Sequence, residues 1–285
     1  MRTISRAPRR IAFVNEKGGS AKTTLVANLG AHLALNRGRR VLAVDLDPQG
    51  QLGKILGVDV RAQRRSAVDL LLDAVLADDP LYDAGAAADT AARFPRVTSR
   101  VPRLDVVVAN KALALEPGLS GDADAAASRL AAALTSEPVT SSYDLVLLDA
   151  PPSFGPLTLA VLRAASEVVI PVPLTFLALD GCAELLRTLH TVRTRYGNGE
   201  LRVTMVVPTF YRRTRLAHEI LDRLKARFPK ELAHTVLGFH VKVDEAQSRG
   251  LSICEYAPKD RAARAFSALA EELELRAPPS SGEAP

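Results

Sequence analysis

The chain has 285 residues, of which 47% are hydrophobic and 24% charged, and its formal net charge is +5. This length and balance predict a folded protein with a sizeable core. The absence of a run of about 18 apolar residues argues against a transmembrane helix. The basic first ten residues lack the apolar centre of a signal peptide. Neither cysteine belongs to a Cys-x-x-Cys pair, which argues against a zinc cluster or a disulfide framework. We therefore expect a cytoplasmic protein without a membrane partner.

Short apolar runs alternate with helical patterns along the whole chain. Such nearly uninterrupted runs are typical of parallel strands that are buried on both faces. We predict one doubly wound α/β domain with a mostly parallel sheet and helices on both faces, whose ligands lie at the carboxyl ends of the strands. The predicted strands are Ile11–Val14, Val41–Val44, Leu104–Val108, Leu145–Leu148, Val168–Val172 and Val203–Val207.

Three helices are predicted from periodicity and capping residues. The first covers Thr23–Asn36 and has Gly38 just past its end; the others cover Ser66–Leu76, with Ser66 as its cap, and Asp122–Thr135. From Asp78 to Val101 no period persists, and we expect variable surface structure there. The predicted organisation is a basic extension over 1–10, the domain over 11–276 and a disordered Pro/Ser-rich tail over 277–285.

A phosphate-binding loop is predicted between the first strand and the first helix, where the chain reads Asn-Glu-Lys-Gly-Gly-Ser-Ala-Lys-Thr-Thr from Asn15 to Thr24. A helix start after a glycine turn gathers backbone N–H groups and the positive end of the helix dipole around one point. Lys22 is placed to bind the β- and γ-phosphates, and the Thr23 hydroxyl to bind Mg²⁺. The strict G-x-x-x-x-G-K-[ST] pattern is not met, since Glu16 and Ala21 replace its glycines.

Two acidic motifs follow at predicted strand ends. Val-Asp-Leu-Asp-Pro-Gln-Gly begins at Val44, and Leu-Leu-Asp-Ala-Pro-Pro-Ser begins at Leu147. Asp149 ends an apolar strand, as the magnesium-binding aspartate of a Walker B element does. With the loop, these motifs resemble the ParA/MinD family of deviant Walker ATPases, most closely the short ParA partition branch. The resemblance runs from about Arg10 to about Leu275.

The resemblance implies ATP and Mg²⁺ as ligands and a slow ATPase activity. It gives the loop residues Lys17, Gly18, Gly19, Ser20, Ala21, Lys22, Thr23 and Thr24 as nucleotide-binding. By analogy, it gives the region from Pro208 to Phe210 and the loop from His240 to Glu245 as adenine-side candidates. In this family the loop has glycine where this chain has Ala21.

The resemblance also implies catalytic roles. Asp47 orients the attacking water and, with Thr23 and Asp149, belongs to the metal site, while Asp45 supports the metal or the loop. Lys22 serves its own nucleotide. Lys17 is the signature lysine that reaches the phosphates of a partner subunit, which implies a homodimer with ATP between the two chains.

Positive charge is concentrated between Arg187 and Lys230, which hold eleven basic and three acidic residues, a net +8 against +5 for the whole chain. Leu216, Ile220, Leu224 and Phe228 form a helical stripe predicted to face the core, leaving the arginines outside. Such a surface suits phosphate contacts without base reading, although arginine-rich helices are also commonly just solvated. Resemblance to ParA proteins favours nonspecific DNA binding, with Arg187, Arg193, Arg212, Arg213, Arg215, Arg223 and Arg227 as candidates.

The leading function is thus an ATPase that binds DNA as an ATP dimer and positions a cargo such as a chromosome or plasmid origin, in the cytoplasm and on the nucleoid. A ParB-like or other partner is expected to stimulate hydrolysis. One alternative is a MinD-like division-site ATPase on the membrane, which needs a basic amphipathic helix at the C-terminal end, where this chain is acidic. A small-molecule biosynthetic or reductase enzyme ranks last, because no cysteine cluster or substrate pocket is recognisable.

Overall fold

The computed structural model describes residues 7–71, 94–115, 123–176 and 178–278. Within them, seven strands form one sheet in the order β3-β4-β2-β5-β1-β6-β7. Neighbouring strands are parallel except β3 with β4. The mostly parallel α/β sheet predicted from the apolar runs is therefore confirmed. The strands are β1 (Arg9–Phe13), β2 (Val41–Asp45), β3 (Val97–Thr98), β4 (Leu104–Val107), β5 (Leu145–Asp149), β6 (Glu167–Pro173) and β7 (Arg202–Thr209).

Helices cover both faces of this sheet, because successive strand residues point to opposite sides. Ile11 and Phe13 pack into the core on one face, and Ala12 and Val14 into the core on the other. On the first face lie α1 (Lys22–Arg37), α2 (Gln51–Ile55), α11 (Ile253–Tyr256) and α12 (Arg261–Leu275). The other described helices are α3 (Val68–Leu71), α4 (Ala112–Leu115), α5 (Ala123–Thr135), α6 (Glu137–Thr140), α7 (Pro156–Ala164), α8 (Ala178–Arg195), α9 (Arg215–Arg227) and α10 (Val241–Ser248), with a 3₁₀ turn at Val60–Ala62.

Several boundaries differ from the prediction. The strand β1 begins at Arg9, so part of the predicted basic extension belongs to the sheet. The two-residue strand β3 lies inside the segment predicted as variable surface structure, of which residues 78–93 are outside the described residues. The helix predicted from Ser66 is described over Val68–Leu71, and the Ser66 hydroxyl accepts the Val68 N–H at 3.3 Å. Residues 279–285 of the predicted tail are not described.

The amino ends of the strands are closed by a buried charge network around Glu167. Arg9 donates to both carboxylate oxygens, at 2.7 and 2.8 Å, and Arg202 and Thr204 donate to Oε2 at 3.0 and 2.6 Å. Burial alone would raise the pKa of Glu167, but the hydrogen bonds and charge of Arg9, with Thr204 and Arg202, hold it below its ordinary value. This network links β1, β6 and β7 at the edge away from the predicted motifs.

The predicted motifs lie together at the opposite edge of the sheet, at the carboxyl ends of the strands. In the sheet register Asp149 of β5 lies beside Phe13 of β1 on one side and beside Asp45 of β2 on the other. The loop that follows β1 and the Asp-Pro-Gln turn that follows β2 therefore begin next to each other. Parallel strand order alone brings together residues more than 100 positions apart in the chain.

Candidate functional site

The predicted phosphate loop connects β1 to α1 and is held at its start by Asn15. The Asn15 amide donates to the Pro171 carbonyl at 2.6 Å, and its Oδ1 accepts the Lys17 backbone N–H at 2.8 Å. Gly18 and Gly19 are exposed, and no heavy atom lies within 4 Å of a Cβ built on either. The loop thus has a fixed base and an open rim that leaves room for a ligand.

Ala21 occupies a conformation that favours glycine. Its φ is 76° and its ψ 22°, in the left-handed region, and it is the N-cap of α1 without a side-chain cap. An L-residue in this region is strained by about 1–2 kcal/mol, and alanine is also a poor N-cap. The one departure of the loop from the glycine of the resembled pattern is therefore accommodated at an energetic cost.

The two loop lysines point to different places. Lys22 is buried, and its Nζ donates to the Asn15 carbonyl at 3.0 Å and to the Lys17 carbonyl at 3.5 Å, inside the loop. Burial lowers the pKa of Lys22, while the charges of Asp149 and Asp47 oppose that shift. Lys17 is exposed, and its Nζ donates to the Thr175 hydroxyl at 3.2 Å, outside the loop.

Asp149 is fully buried at the end of β5, close to Thr23 and Lys22 of the phosphate loop. Burial raises its pKa to about 7, against the Thr23 hydroxyl and the Lys22 charge, which lower it. Among the described residues neither carboxylate oxygen has a hydrogen bond of full geometry, so Thr23 acts on the charge from nearby rather than as a well-formed donor. A buried, unpartnered carboxylate is costly unless a cation compensates it.

Asp45 and Asp47 differ in role although they share one motif. Asp45 is fully buried, and its oxygens accept the backbone N–H groups of Asp47 at 3.1 Å and Leu52 at 3.0 Å. Burial and the neighbouring Asp149 charge raise its pKa well above the ordinary value. Asp47 is half-buried and accepts the Gln49 N–H at 3.0 Å. Asp45 therefore holds the Asp-Pro-Gln turn through these two hydrogen bonds.

The residues present fit Mg²⁺ with a polyphosphate. Thr23 and Asp149 meet at the loop, and the orphaned Asp149 oxygens are hard anionic ligands of the kind that Mg²⁺ prefers. The described residues contain no group of three or more His, Cys, Asp or Glu side chains placed to hold a metal alone. The metal would thus share its ligands between the protein and the phosphates. The hydroxyl of Ser20 is likewise buried and unpartnered among the described residues.

A small cavity of about 80 Å³ lies beside the loop, on the side where the adenine was expected. It is lined by Ala21 and Thr24, by Thr209 at the end of β7 and the following Phe210, and by residues between Leu237 and Asp244. Phe210 and Phe239 have ring centroids 6.5 Å apart. Pro208 does not line the cavity: it is buried in β7, and its carbonyl accepts the Leu237 N–H. The chain reaches the cavity only at the end of the strand, because Thr209 is the last residue of β7 and Phe210 follows it.

The predicted basic residues are all exposed, on α8, α9 and the loop before α9: Arg187, Arg193, Arg212, Arg213, Arg215, Arg223 and Arg227. Arg212 borders the rim of the phosphate loop together with Lys17 and Thr175. Arg215 pairs with Glu219 at 2.9 Å, both largely exposed, so this pair contributes little to stability. The arginines form an accessible surface that extends toward the loop rim.

One part of the predicted apolar stripe on α9 is wrong. Ile220, Leu224 and Phe228 are buried as predicted, but Leu216 is 43% exposed and Ala217 takes the inward position. At about 100° per residue, Leu216 lies roughly 85° from the centre of the buried face, whereas Ala217 lies close to it. Residues four positions apart are rotated by about 40° relative to each other around the helix axis. Over the three steps from Phe228 back to Leu216 this rotation moves Leu216 out of the buried face.

Several contacts of the loop were not predicted from the sequence. Asn15 anchors the loop, and the Thr175 hydroxyl accepts a hydrogen bond from Lys17. Gln247, on α10, donates to the Thr24 hydroxyl at 3.0 Å. Of these residues, only Asn15 could have been recognised from the sequence, because it is a polar residue directly after the apolar run that ends at Val14.

Comparison with known proteins agrees with this geometry. The family model for an AAA domain matches residues 8–203. The chromosome-partitioning ATPase Soj of Thermus thermophilus is 40% identical over 269 residues, covering 94% of this chain and 96% of the relative. The sporulation initiation inhibitor protein Soj of Bacillus subtilis is 36% identical over 269 residues, covering 92% and 97%. The chain belongs to the Soj/ParA family of P-loop ATPases.

A solved structure similar to this chain identifies the ligands. The cobyrinic acid a,c-diamide synthase of Mycobacterium smegmatis, crystallised with a bound ATP analogue and magnesium, superposes with a TM-score of 0.72 at 30% identity and covers 93% of both chains. ATP and Mg²⁺ are accordingly the ligands of this Soj/ParA protein, which is an ATPase.

The C-terminal helix bears on the MinD-like alternative. The apolar residues of α12, Phe266, Leu269 and Leu273, are buried in the core, where the helix contacts α1. Its apolar face is therefore already covered by the fold. None of the described helices combines the length and the apolar character that crossing a membrane requires.

Proposed function

We propose that this Soj/ParA protein is a partition ATPase that dimerises around ATP, binds DNA without sequence preference and positions a cargo such as a chromosome or plasmid origin. The observation that carries the proposal is the opposite placement of the two loop lysines. Lys22 is buried and turned into the loop, whereas Lys17 is exposed and turned out of it. An exposed cation at the loop rim can bind a phosphate that approaches from outside the loop. In a dimer with ATP between the subunits, the nucleotide of the second subunit supplies that phosphate.

Within this proposal the loop residues hold the nucleotide and Lys22 neutralises its phosphates. Thr23 and Asp149 hold Mg²⁺, which lowers the repulsion between phosphate oxygens and the incoming water when bound. Asp47 lies close enough to Lys22 and Asp149 to influence the pKa of both. It is the group we assign to orient the attacking water. Phosphoryl transfer relies mainly on positioning and charge, so an ordinary carboxylate suffices.

Dimerisation is tested with Asp47→Ala, which should bind ATP, fail to hydrolyse it and accumulate as a dimer. Adding Lys17→Ala to this background should return the protein to a monomer, because the cross-subunit charge is lost. The matched control is Lys225→Ala, which removes an exposed lysine that pairs with Asp222 on α9. Sizing chromatography with light scattering, with ATP and with ADP, gives the readout. An Asp47→Ala protein that binds ATP and stays monomeric would refute the sandwich dimer.

DNA binding is tested by replacing Arg212, Arg213 and Arg215 with alanine together. If all three contact phosphates, the slope of log K against log salt should shrink by up to about 2.7, since each lost contact contributes about 0.9. ATPase activity without DNA should be retained. The control removes the same charge elsewhere, at the exposed Arg61, Arg64 and Arg100. Equal loss in both triple variants would show that net charge, not this surface, sets the affinity.

The remaining parts of the proposal concern location and partner. Nonspecific DNA binding in the ATP state would place the dimer on the nucleoid of the cytoplasm, and hydrolysis would release it. A ParB-like or other activating protein is expected to accelerate that hydrolysis. Its addition should raise ATP turnover by the wild-type protein on DNA and leave the Asp47→Ala variant bound.

A further inference from the structure

The first turn of α1 is tied to a distant part of the chain. The Gln247 amide, on α10, donates to the Thr24 hydroxyl at 3.0 Å, across 223 positions in sequence. Asn28, fully buried, donates from its amide to the Thr24 carbonyl at 2.8 Å and accepts the Ile253 N–H at 2.7 Å. Thr24 is therefore connected to the α10–α11 segment directly through its hydroxyl and, through Asn28, by its carbonyl.

The segment that carries Gln247 is firmly seated. Gly250, just after α10, and Gly57, just after α2, both have positive φ, 65° and 74°. A Cβ built on Gly250 would lie 2.9 Å from the Gly57 Cα, and one on Gly57 would lie 3.0 Å from the Gly250 carbonyl oxygen. The two backbones touch because neither residue has a side chain. The contact fixes the end of α10 against the turn after α2.

Thr24 itself lies between two openings. It lines the cavity beside the loop, together with Val243 and Asp244 of α10. It also lines the groove that contains Thr23, Gln51 and Gln247. A threonine hydroxyl near a helix start otherwise rotates freely or bonds to nearby backbone groups. The amide of Gln247 holds it in one orientation.

We infer that Gln247 is a positioning residue for the triphosphate: by fixing Thr24 it holds the first turn of α1 so that its backbone N–H groups face the phosphate chain. The inference rests on the proposed binding of ATP·Mg²⁺ at this loop. The N–H groups of the first helical turn have no intrahelical partners and are the donors that a phosphate uses. Their alignment before the ligand arrives reduces the ordering cost of binding.

The test uses Gln247→Met in the full chain, a variant of similar length and shape without the amide. Its dissociation constant for ATP with Mg²⁺ should rise about fivefold, the factor expected for one partly buried hydrogen bond. Binding of inorganic tripolyphosphate should weaken by the same factor, because the contact acts on the phosphate side. KM for ATP should rise while kcat changes little. The control is Ser248→Ala, whose hydroxyl bonds to the Glu245 carbonyl of its own helix.

A double-mutant cycle separates positioning from general loosening of the fold. In the Thr24→Val background the hydroxyl is absent, so Gln247→Met should cause no further loss of affinity. Weaker binding of ATP with unchanged binding of tripolyphosphate would overturn the inference, since Gln247 would then act on the base cavity. Unchanged ATP affinity in Gln247→Met would also overturn it and leave the proposed function standing. A wild-type protein that does not bind ATP with Mg²⁺ would refute the proposed function instead.

Discussion

Replacing Ala21 with glycine should stabilise this protein, although glycine usually destabilises. Ala21 has φ 76° and ψ 22° at the N-cap of α1. Removing its Cβ relieves about 1–2 kcal/mol of left-handed strain, while the added freedom of the unfolded chain costs about 0.4–1 kcal/mol. The net gain is about 0.5–1 kcal/mol, and glycine is also the better N-cap. For a domain of this size the melting temperature should rise by about 1–4 °C.

The assay is thermal and urea unfolding of the nucleotide-free protein, compared with Ala132→Gly. Ala132 is exposed in the right-handed helix α5, where glycine should cost about 1 kcal/mol. The same chemical change is thus expected to have opposite signs at the two positions. If Ala21→Gly destabilised the protein as much as Ala132→Gly does, the argument from the left-handed conformation would be wrong.

Three further substitutions test the charges and the packing. In Asp149→Asn the nucleotide-free protein should be more stable than the wild type by on the order of 2–4 kcal/mol at pH 8. That gain should shrink as the pH falls from about 7 toward 4. In this range the Asp149 carboxyl of the wild type stays protonated in the folded protein but releases its proton in the unfolded chain. Calorimetry from pH 4.5 to 8 measures the change. Glu167→Gln should cost about 3 kcal/mol at pH 7 by breaking a buried pair. Because the folded pKa of Glu167 is lowered, that cost is complete above about pH 4.3 and fades as the pH falls through the folded pKa; urea titrations at several pH values test this. Leu216→Ser should change the free energy of unfolding by less than about 0.5 kcal/mol, whereas Leu224→Ala should lower it by about 2–4 kcal/mol. Similar losses of stability in the two variants would contradict the assigned buried face of α9.

Much of the fold could be predicted because its strands are continuous apolar runs. The run from Val41 to Val44 is buried at every position, which is the pattern of a strand covered on both faces. The two-residue strand β3 had no such pattern, since one paired residue is exposed and the other half-buried. Short edge pairing depends on the neighbouring strand more than on its own sequence.

The site was predictable to the extent that its residues are consecutive. Lys17 and Lys22 stand in one motif, and their contrast in placement follows from a loop that turns between them. The partners of this loop, Gln247 and Thr175, reach it from remote segments, and nothing local marks either residue. Such contacts are properties of the tertiary fold and have no sequence period to detect.

The side-by-side placement of Asp45 and Asp149 has a consequence for protein engineering. Both carboxylates are buried, and the charge of Asp149 raises the pKa of Asp45. Because the Asp149 oxygens have no hydrogen-bond partner among the described residues, a screen for heat-resistant variants performed without nucleotide would favour loss of Asp149. If Asp149 holds Mg²⁺ as proposed, such a screen would select stable proteins that have lost magnesium binding, so that stability is gained at the expense of activity. Selection in the presence of ATP and Mg²⁺ removes that bias.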